Sequence, residues 1–363
     1  MKTFEEGLAS VREICRSKKF IQDVERLKTL LIGRPLILYG AGMIGHSVAR
    51  VLGYYHIEVS CFCDKNKSGM MESGLPIISP QEIKIKYPDT NIIVCSVNYK
   101  DEIIQDLSDL GVTLEHIFTR DDLHIHEMTY DDILPYMEGY KSAFHLLEDD
   151  KSKQILLERI RCYITSEPIT SSGEKNQYFD PELISLRQDE IFVDGGMYTG
   201  DTTQSFLQFS NRKYKHYYGF EPDQANFLAA SNRLTGQPGI TLVQKGLWSC
   251  EQQFPFNGSL ASSSRLDDGA GRDLVEVTAL DTFFQDKEPP TFIKMDIEGA
   301  ELEALKGAEG LIRKYKPKLA ICAYHRPEDV YKLPELVKSF RDDYKFYLRH
   351  YTDTIYETVL YGI

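Results

Sequence analysis

Apolar and polar residues alternate along the chain in a way that is typical of an α/β protein. Short apolar runs end in small or acidic residues, and stretches with apolar positions at helical spacing separate them. This alternation predicts parallel strands that are joined by crossover helices. It occurs twice, at 35–122 and at 189–363, so we expect two Rossmann-like α/β domains.

The remaining segments carry helical patterns without strands. Apolar spacing in 1–34 predicts one or two amphipathic N-terminal helices, and 123–188 is predicted to be a helical connector. Its polar-faced helices are expected at 130–147 and 151–165, before a loop rich in Ser, Thr, Pro and Gly. Two interpretations of the connector remain open, namely a lid or substrate wall and a plain spacer.

The first predicted domain opens with a glycine-rich turn. The strand 36–39 is followed directly by Gly40-Ala-Gly42-Met-Ile-Gly45 and a helix. Asp64 ends the next predicted strand, 58–63, about where the acid of a Rossmann unit contacts a ribose. Gly40, Gly42, Gly45 and Asp64 are therefore a candidate second nucleotide site.

Two functions of this turn stay open. Its glycines either only allow close packing of helix on strand, or they let the turn bind a nucleotide or a nucleotide-linked sugar. The segment resembles the small N-terminal domains of bacterial sugar-modifying enzymes, which share the GAGxxG turn and a strand that ends in an acid near Asp64. That resemblance implies a ligand of the nucleotide or sugar-nucleotide class.

The second predicted domain begins with an apolar strand, an acid and another glycine turn. Residues 191–202 read IFVDGGMYTGDT, and Glu221 follows the next strand, 216–220. A carboxylate at Glu221 can accept hydrogen bonds from both hydroxyls of a ribose. Three polar residues are expected to cap the following helix and to contact the polar tail of a cofactor: Thr199, Asp201 and Thr202.

The charge around this second turn distinguishes two classes of cofactor. Asp194 leads the turn and Asp201 follows it, and two carboxylates would repel the pyrophosphate of a dinucleotide. The same carboxylates suit the ammonium and sulfonium groups of S-adenosylmethionine. The turn therefore predicts a methyltransferase rather than a dehydrogenase.

Later strands bring further polar residues to the same edge of the predicted sheet. Strands are expected at 240–243, 292–295 and 319–323, and a closing antiparallel hairpin at 346–361. Because the carboxyl ends of parallel strands share one edge, Asp296 and His325 should face the same crevice as the glycine turn. Gly246, which follows the third strand, is expected beside an adenine ring.

Several separately spaced motifs resemble the FkbM family of S-adenosylmethionine-dependent methyltransferases. They are DGGMYTGDT from Asp194, FEPD from Phe220, VTALD ending at Asp281, KMDIEGAE from Lys294 and AYH ending at His325. The resemblance spans 189–363 and implies a seven-stranded class I methyltransferase sheet that ends in an antiparallel hairpin. It also implies O-methylation of a hydroxyl, often on a sugar or a secondary metabolite.

The resemblance assigns roles at the cofactor site. It puts Asp194, Gly196 and Gly200 in the cofactor loop, Glu221 at the ribose and Asp296 beside the methyl-transfer centre. The chain has Met197 where the family commonly has Ala, and this bulkier side chain is expected to line the site. The full set predicted to bind S-adenosylmethionine is Asp194, Gly195, Gly196, Met197, Thr199, Gly200, Asp201, Thr202, Glu221, Pro222, Gly246 and Asp296.

Transfer of a methyl group to a hydroxyl requires a positioned donor, a positioned acceptor and a base. His325 is the first candidate base, because the ordinary pKa of an imidazole, about 6.5, suits the task. Asp296 and Glu298 are further catalytic candidates that would orient the acceptor, contact the methionine amine or hold a divalent cation. The other interpretation makes them a helix cap and a first-turn acid, and no metal ligand set is predicted.

Composition limits the partners. The 363 residues carry a net charge of −13, which argues against nucleic acid and anionic membranes as partners. Seven cysteines, an odd number without paired CxxC spacing, favour free thiols in a reducing cytosol. The N-terminus has no apolar signal core and no apolar run approaches membrane-spanning length, so we expect a cytoplasmic protein. A small-molecule, sugar or glycan acceptor is expected, and a homodimer is possible.

Two alternatives belong to other functional classes. One is an NAD(P)-dependent oxidoreductase that uses Gly40–Gly45, although no Tyr-x-x-x-Lys motif follows that turn. The other is a non-catalytic nucleotide-binding protein whose cofactor pockets are vestigial.

Overall fold

The computed structural model describes residues 3–96, 99–120, 122–171, 176–256 and 273–363. The chain divides into two compact units. The first unit comprises the residues up to Pro135 together with Arg159–Pro168, and the second comprises Tyr136–Glu158 and Ile169–Ile363. The predicted connector is thus shared between the two units. Among the described residues, no helix combines the length and the apolar character that a membrane span requires.

The first unit begins with two capped helices and continues as alternating strands and helices. Its helices are α1 Phe4–Cys15, α2 Lys18–Leu31, α3 Met43–Tyr54, α4 Pro80–Lys86, α5 Lys100–Asp109 and α6 Tyr130–Ile133. Its strands are β1 Leu36–Tyr39, β2 Cys61–Cys63, β3 Met71–Glu72, β4 Leu75–Ile78, β5 Asn91–Val94 and β6 Ile117–Thr119.

Within the described residues these strands form a six-stranded sheet in the order β3-β4-β2-β1-β5-β6. All neighbours are parallel except β3 and β4. Both faces of β1 are buried: Leu36 and Leu38 belong to one apolar cluster, and Ile37 and Tyr39 belong to another. A strand covered on both faces reads as a continuous apolar run, which is why the sequence marks β1 clearly.

The second unit contains most of the remaining secondary structure. Its helices are α7 Met137–Leu146, α8 Asp150–Thr165 (up to Glu158), α9 Asp201–Phe209, α10 Gln224–Leu234, α11 Leu280–Phe283, α12 Glu301–Lys306, α13 Glu309–Tyr315 and α14 Asp329–Phe340. Its strands are β7 Ile191–Gly195, β8 His216–Phe220, β9 Ile240–Val243, β10 Gly246–Leu247, β11 Gln252–Phe256, β12 Asp273–Thr278, β13 Phe292–Met295, β14 Lys318–Cys322, β15 Phe346–His350 and β16 Thr358–Gly362.

In the part of the second unit that the structure describes, seven strands form one sheet in the order β15-β16-β14-β13-β7-β8-β9. The predicted α/β class and the seven-stranded sheet are confirmed. Strands β15 and β16 pair antiparallel, and β10, β12 and β11 form a separate small sheet. From β7 the chain runs outward to β8 and β9 on one side and continues with β13 and β14 on the other. Such a reversal opens a crevice at the carboxyl ends of the two central strands.

The glycine turn of the first unit generates a prediction about stability. A Cβ on Gly45 would lie 2.0 Å from the carbonyl oxygen of Gly40, whereas a Cβ on Gly42 would meet nothing within 4 Å. Gly45→Ala should therefore destabilise the protein by about 3 kcal/mol, because a backbone carbonyl cannot move aside cheaply. Gly42→Ala is the matched control, since its φ of −107° suits alanine. Thermal unfolding by calorimetry measures both, and equal midpoints for the two variants would contradict the packing role.

Candidate active site

The glycine turn after β7 lies directly against the loop after β13. Gly196 and Gly200 have φ of 73° and 83°, which favours glycine at both positions. A Cβ on Gly196 would lie 1.9 Å from the carbonyl oxygen of Asp296, so only glycine allows this approach. The structure thereby brings the predicted cofactor loop and the predicted methyl-transfer centre together.

A buried lysine on β13 holds this turn from below. Lys294 Nζ lies 2.9 Å from Asp194 Oδ1, and both side chains are almost completely buried. The same ammonium donates hydrogen bonds to the carbonyl oxygens of Gly195 and Gly196. Burial opposes the charge on Lys294, but Asp194 and Asp296 outweigh it and raise the pKa of Lys294 above its ordinary value.

This ion pair corrects the charge argument made from the sequence. Asp194 is already neutralised by Lys294, and it accepts a further hydrogen bond from the Tyr217 hydroxyl at 2.7 Å. It therefore presents no free negative charge to a cofactor, and of the two flanking acids only Asp201 is exposed. The expectation that both carboxylates face a cationic ligand is wrong, because β13 supplies a cation that the turn sequence does not show.

Sequence reasoning missed Lys294 and two further members of this network. Thr203 donates a hydrogen bond to the Tyr217 hydroxyl, which in turn donates to Asp194. A sequence signal existed for the lysine, because it interrupts the apolar run Phe292–Met295 of a buried strand. A lysine at such a position needs a buried partner.

Glu221 lies at the carboxyl end of β8 and closes the turn from the side. Its carboxylate accepts hydrogen bonds from the backbone N–H groups of Tyr198 at 3.1 Å and Asp223 at 2.9 Å. Burial raises the pKa of Glu221 to about 7 despite those two donors. Gly246 lies nearby, since a Cβ there would approach Pro222 to 3.8 Å.

Two expectations about individual residues of the turn are corrected. Met197 is fully buried with its Sδ over Gly219, so its side chain fills the core beneath β8 and does not line open space. Helix α9 has Gly200 as its N-cap and no side-chain cap, so the polar residues around it do not cap the helix. Thr199 and Thr202 are half-buried instead.

Asp296 follows β13 at the crevice and is held by two tyrosines. Its carboxylate accepts hydrogen bonds from the hydroxyls of Tyr178 at 2.9 Å and Tyr324 at 3.2 Å. Burial alone would raise its pKa, but Lys294, His325 and the Tyr178 hydroxyl lower it below the ordinary value. Tyr178 lies in the predicted connector, outside the predicted methyltransferase domain, so its contact with Asp296 was not predicted.

His325 lies among three carboxylates. Its Nδ1 is 3.0 Å from Glu301 Oε1, and its Nε2 is 3.5 Å from Asp296 Oδ1 and 3.7 Å from Glu298 Oε2. Burial would lower the pKa of His325, but Glu301 above all raises it to about 9. The expectation of an ordinary imidazole pKa is therefore wrong, because three acids from the segment between β13 and the first residue of α12 surround this ring.

The candidate second nucleotide site is also assembled by the structure, in the first unit. Asp64 Oδ2 accepts a hydrogen bond from the Ala41 N–H, and its Oδ1 accepts from the N–H groups of Asn66 and Lys67. Gly45 packs on the carbonyl of Gly40. These contacts account for the glycines and the acid as parts of a turn, and a role in binding a ribose stays a prediction.

The second unit matches a known protein family over most of the elements that form the crevice. The family model described as the methyltransferase FkbM domain matches residues 194–347. The second unit carries an FkbM methyltransferase domain. Its match runs from Asp194 through the Asp296 and His325 loops to β15, so the resemblance drawn from the sequence motifs is confirmed.

The first unit matches a different family model. Residues 34–118 match the model described as the C2185-like N-terminal domain. None of the curated proteins that were compared matches the chain.

One solved structure resembles the whole chain. Methyltransferase FkbM from Methylobacillus flagellatus KT is 26% identical, with a TM-score of 0.65, and the alignment covers 99% of this chain and 98% of that one. An rRNA methylase from Streptococcus thermophilus is 16% identical over 49% of this chain and 87% of that chain, with a TM-score of 0.33. The FkbM domain rests on the first similarity and on the family match.

The buried ion pair beneath the turn makes a prediction for the FkbM domain. Lys294→Met should destabilise the domain by about 3–5 kcal/mol, because it leaves the carboxylate of Asp194 buried without a counter-ion. Lys306→Met, which removes an exposed pair with Glu303, should change stability by at most about 0.5 kcal/mol. Urea unfolding followed by the fluorescence of Trp248 compares the two variants. Equal losses would show that the Lys294–Asp194 pair does not hold the turn.

Proposed function

We propose that the chain is an S-adenosylmethionine-dependent methyltransferase that methylates a hydroxyl of a sugar, a glycan or a small metabolite. The observation that carries this proposal is the approach of Gly196 to the backbone of Asp296. It joins a turn suited to a cofactor tail to a cluster of acids at the same edge of the sheet. The FkbM domain over 194–347 supports the same reaction class.

The proposed cofactor contacts follow the crevice from the turn to β10. The turn from Gly195 to Gly200 would contact the methionine part, and Asp201 and Thr202 begin the helix beside it. The carboxylate of Glu221 would bind the ribose hydroxyls, and the segment from Pro222 to Gly246 would lie beside the adenine. Met197 contributes only its backbone in this arrangement, because its side chain is in the core.

The reaction breaks the bond between sulfur and the methyl carbon and forms a bond from that carbon to the acceptor oxygen. Sulfur keeps the electron pair, and the hydroxyl releases its proton. Asp296 and Glu298 have solvent access, at 25% and 29% exposed, and in this proposal they would orient the hydroxyl and take up its proton. His325 is only 4% exposed, so it would act through its contacts with these two carboxylates.

Ligand binding tests the proposal directly. Calorimetry with S-adenosylmethionine, S-adenosylhomocysteine and NAD should give saturable binding of the first two to the full-length protein. Gly196→Ala should abolish that binding, because its Cβ would displace the loop that carries Asp296. Gly236→Ala is a control for adding a Cβ at a positive φ, since nothing lies within 4 Å of that position. Binding of NAD alone would contradict the proposal.

The raised pKa of Glu221 predicts how cofactor binding depends on pH. Only the ionised carboxylate accepts hydrogen bonds from both ribose hydroxyls, and about a tenth of it is ionised one pH unit below its pKa of about 7. The affinity for S-adenosylhomocysteine should therefore be roughly tenfold weaker at pH 6 than at pH 8. Glu221→Gln should bind weakly at both pH values. An unchanged pH dependence in that variant would assign the effect to another group.

A further inference from the structure

We propose that Asp296, Glu301 and His325 form a binding site for a divalent transition-metal ion. One ligand atom from each of the three residues lies within 4.8 Å of the other two. Oxygen and nitrogen ligands bind such an ion at about 2.0–2.2 Å, so two ligands of a tetrahedral site are about 3.4 Å apart. The cluster therefore needs to contract by at most about 1.4 Å, a change that side-chain rotation provides.

Glu301 provides the independent indication that a ligand belongs here. Its side chain is 1% exposed, and its Oε1 accepts a hydrogen bond from the N–H of Ile297 at 2.9 Å. Its Oε2 is buried and has no hydrogen-bond partner among the described residues. A buried carboxylate oxygen without a partner is costly, and a bound cation would remove that cost.

The balance of charge also favours a cation. Carboxylates of Asp296, Glu298 and Glu301 all lie within 4 Å of the His325 ring, so acids outnumber the one imidazolium at that ring. Lys294 also lowers the pKa of Asp296, but its ammonium contacts Asp194 and the carbonyls of the glycine turn and does not ion-pair with the acids around His325. A divalent ion bound by two carboxylates and a neutral imidazole would replace the single positive charge of the imidazolium and lower the net negative charge of the group by one unit.

The ligand set indicates the class of metal. Carboxylates suit Mg²⁺, Ca²⁺ and Mn²⁺, whereas an imidazole ligand suits Zn²⁺ and the other transition metals. A site with one nitrogen and two oxygen ligands therefore fits Mn²⁺ or Zn²⁺ better than Mg²⁺. Asp296 is 25% exposed, so a coordination position toward the crevice is open to solvent or substrate.

This inference rests on the proposed function for its chemical meaning. A cation on Asp296 would stand where the acceptor hydroxyl is proposed to bind, and it would lower the pKa of that hydroxyl. It would then select acceptors that offer an oxygen atom to the metal. Glu298, 3.7 Å from His325, would remain as the carboxylate that takes the proton.

Binding of Mn²⁺ to the full-length protein, stripped of metal with a chelator, tests the site. Electron paramagnetic resonance should show one Mn²⁺ bound per chain, and pulsed measurements should detect coupling to an imidazole nitrogen. Glu301→Gln and His325→Gln should each weaken binding at least tenfold, and His325→Gln should also remove the nitrogen coupling. Glu303→Gln, two residues further along α12 and paired with Lys306, should bind as the wild type does.

The absence of saturable Mn²⁺ and Zn²⁺ binding, or equal affinity in Glu301→Gln, would overturn the inference and leave an ion-paired cluster. If the variants do not fold, the test rests on the coupling between Mn²⁺ and an imidazole nitrogen in the wild-type protein. The absence of that coupling would overturn the proposed site. Binding of S-adenosylhomocysteine is measured on the same samples. If the wild-type protein binds S-adenosylhomocysteine but no metal, only the metal site is refuted. If the wild-type protein does not bind S-adenosylhomocysteine, the proposed function is refuted.

Discussion

The ion pair between Lys294 and Asp194 is the interaction on which the crevice depends. A single ammonium neutralises the acid at the end of β7 and binds two carbonyls of the glycine turn. Those bonds set the path of Gly195 and Gly196, and that path lets Gly196 touch the backbone of Asp296. Burying a lysine costs free energy, and full satisfaction of its donors is what makes such a group tolerable. The turn and the acid cluster are therefore positioned by one cation.

Much of the fold could be predicted because strands buried on both faces are continuous apolar runs. The segments 36–39 and 292–295 were predicted with the bounds that the structure has. The strand ending at Cys63 is shorter than the predicted segment 58–63, since only Cys61–Cys63 pairs along the sheet. Apolar patterns report burial, and they do not report where the hydrogen bonds of a ladder begin.

The position of the site could be predicted more fully than its electrostatics. Acids and a histidine at the ends of parallel strands must share one edge, so Asp296 and His325 were expected together and lie 3.5 Å apart. The charge states could not be predicted, because they depend on neighbours that are distant in sequence. Glu301 raises the pKa of His325, and Lys294 neutralises Asp194. Spacing within one motif contains no information about either partner.

The two glycine turns show how far an acid at the end of the next strand supports a prediction of ribose binding. Asp64 accepts a hydrogen bond from the N–H of Ala41 in its own turn, and Glu221 accepts one from Tyr198 in its turn. The shared contact stabilises each turn without any ligand, so the acid alone is weak support for ribose binding. The two turns differ in the residues that lie beneath and beside them. Only the second has, among the described residues, a buried lysine below it and a histidine among carboxylates next to it. That difference accompanies the FkbM domain match over 194–347, and together they are why methyl transfer is proposed for the second unit.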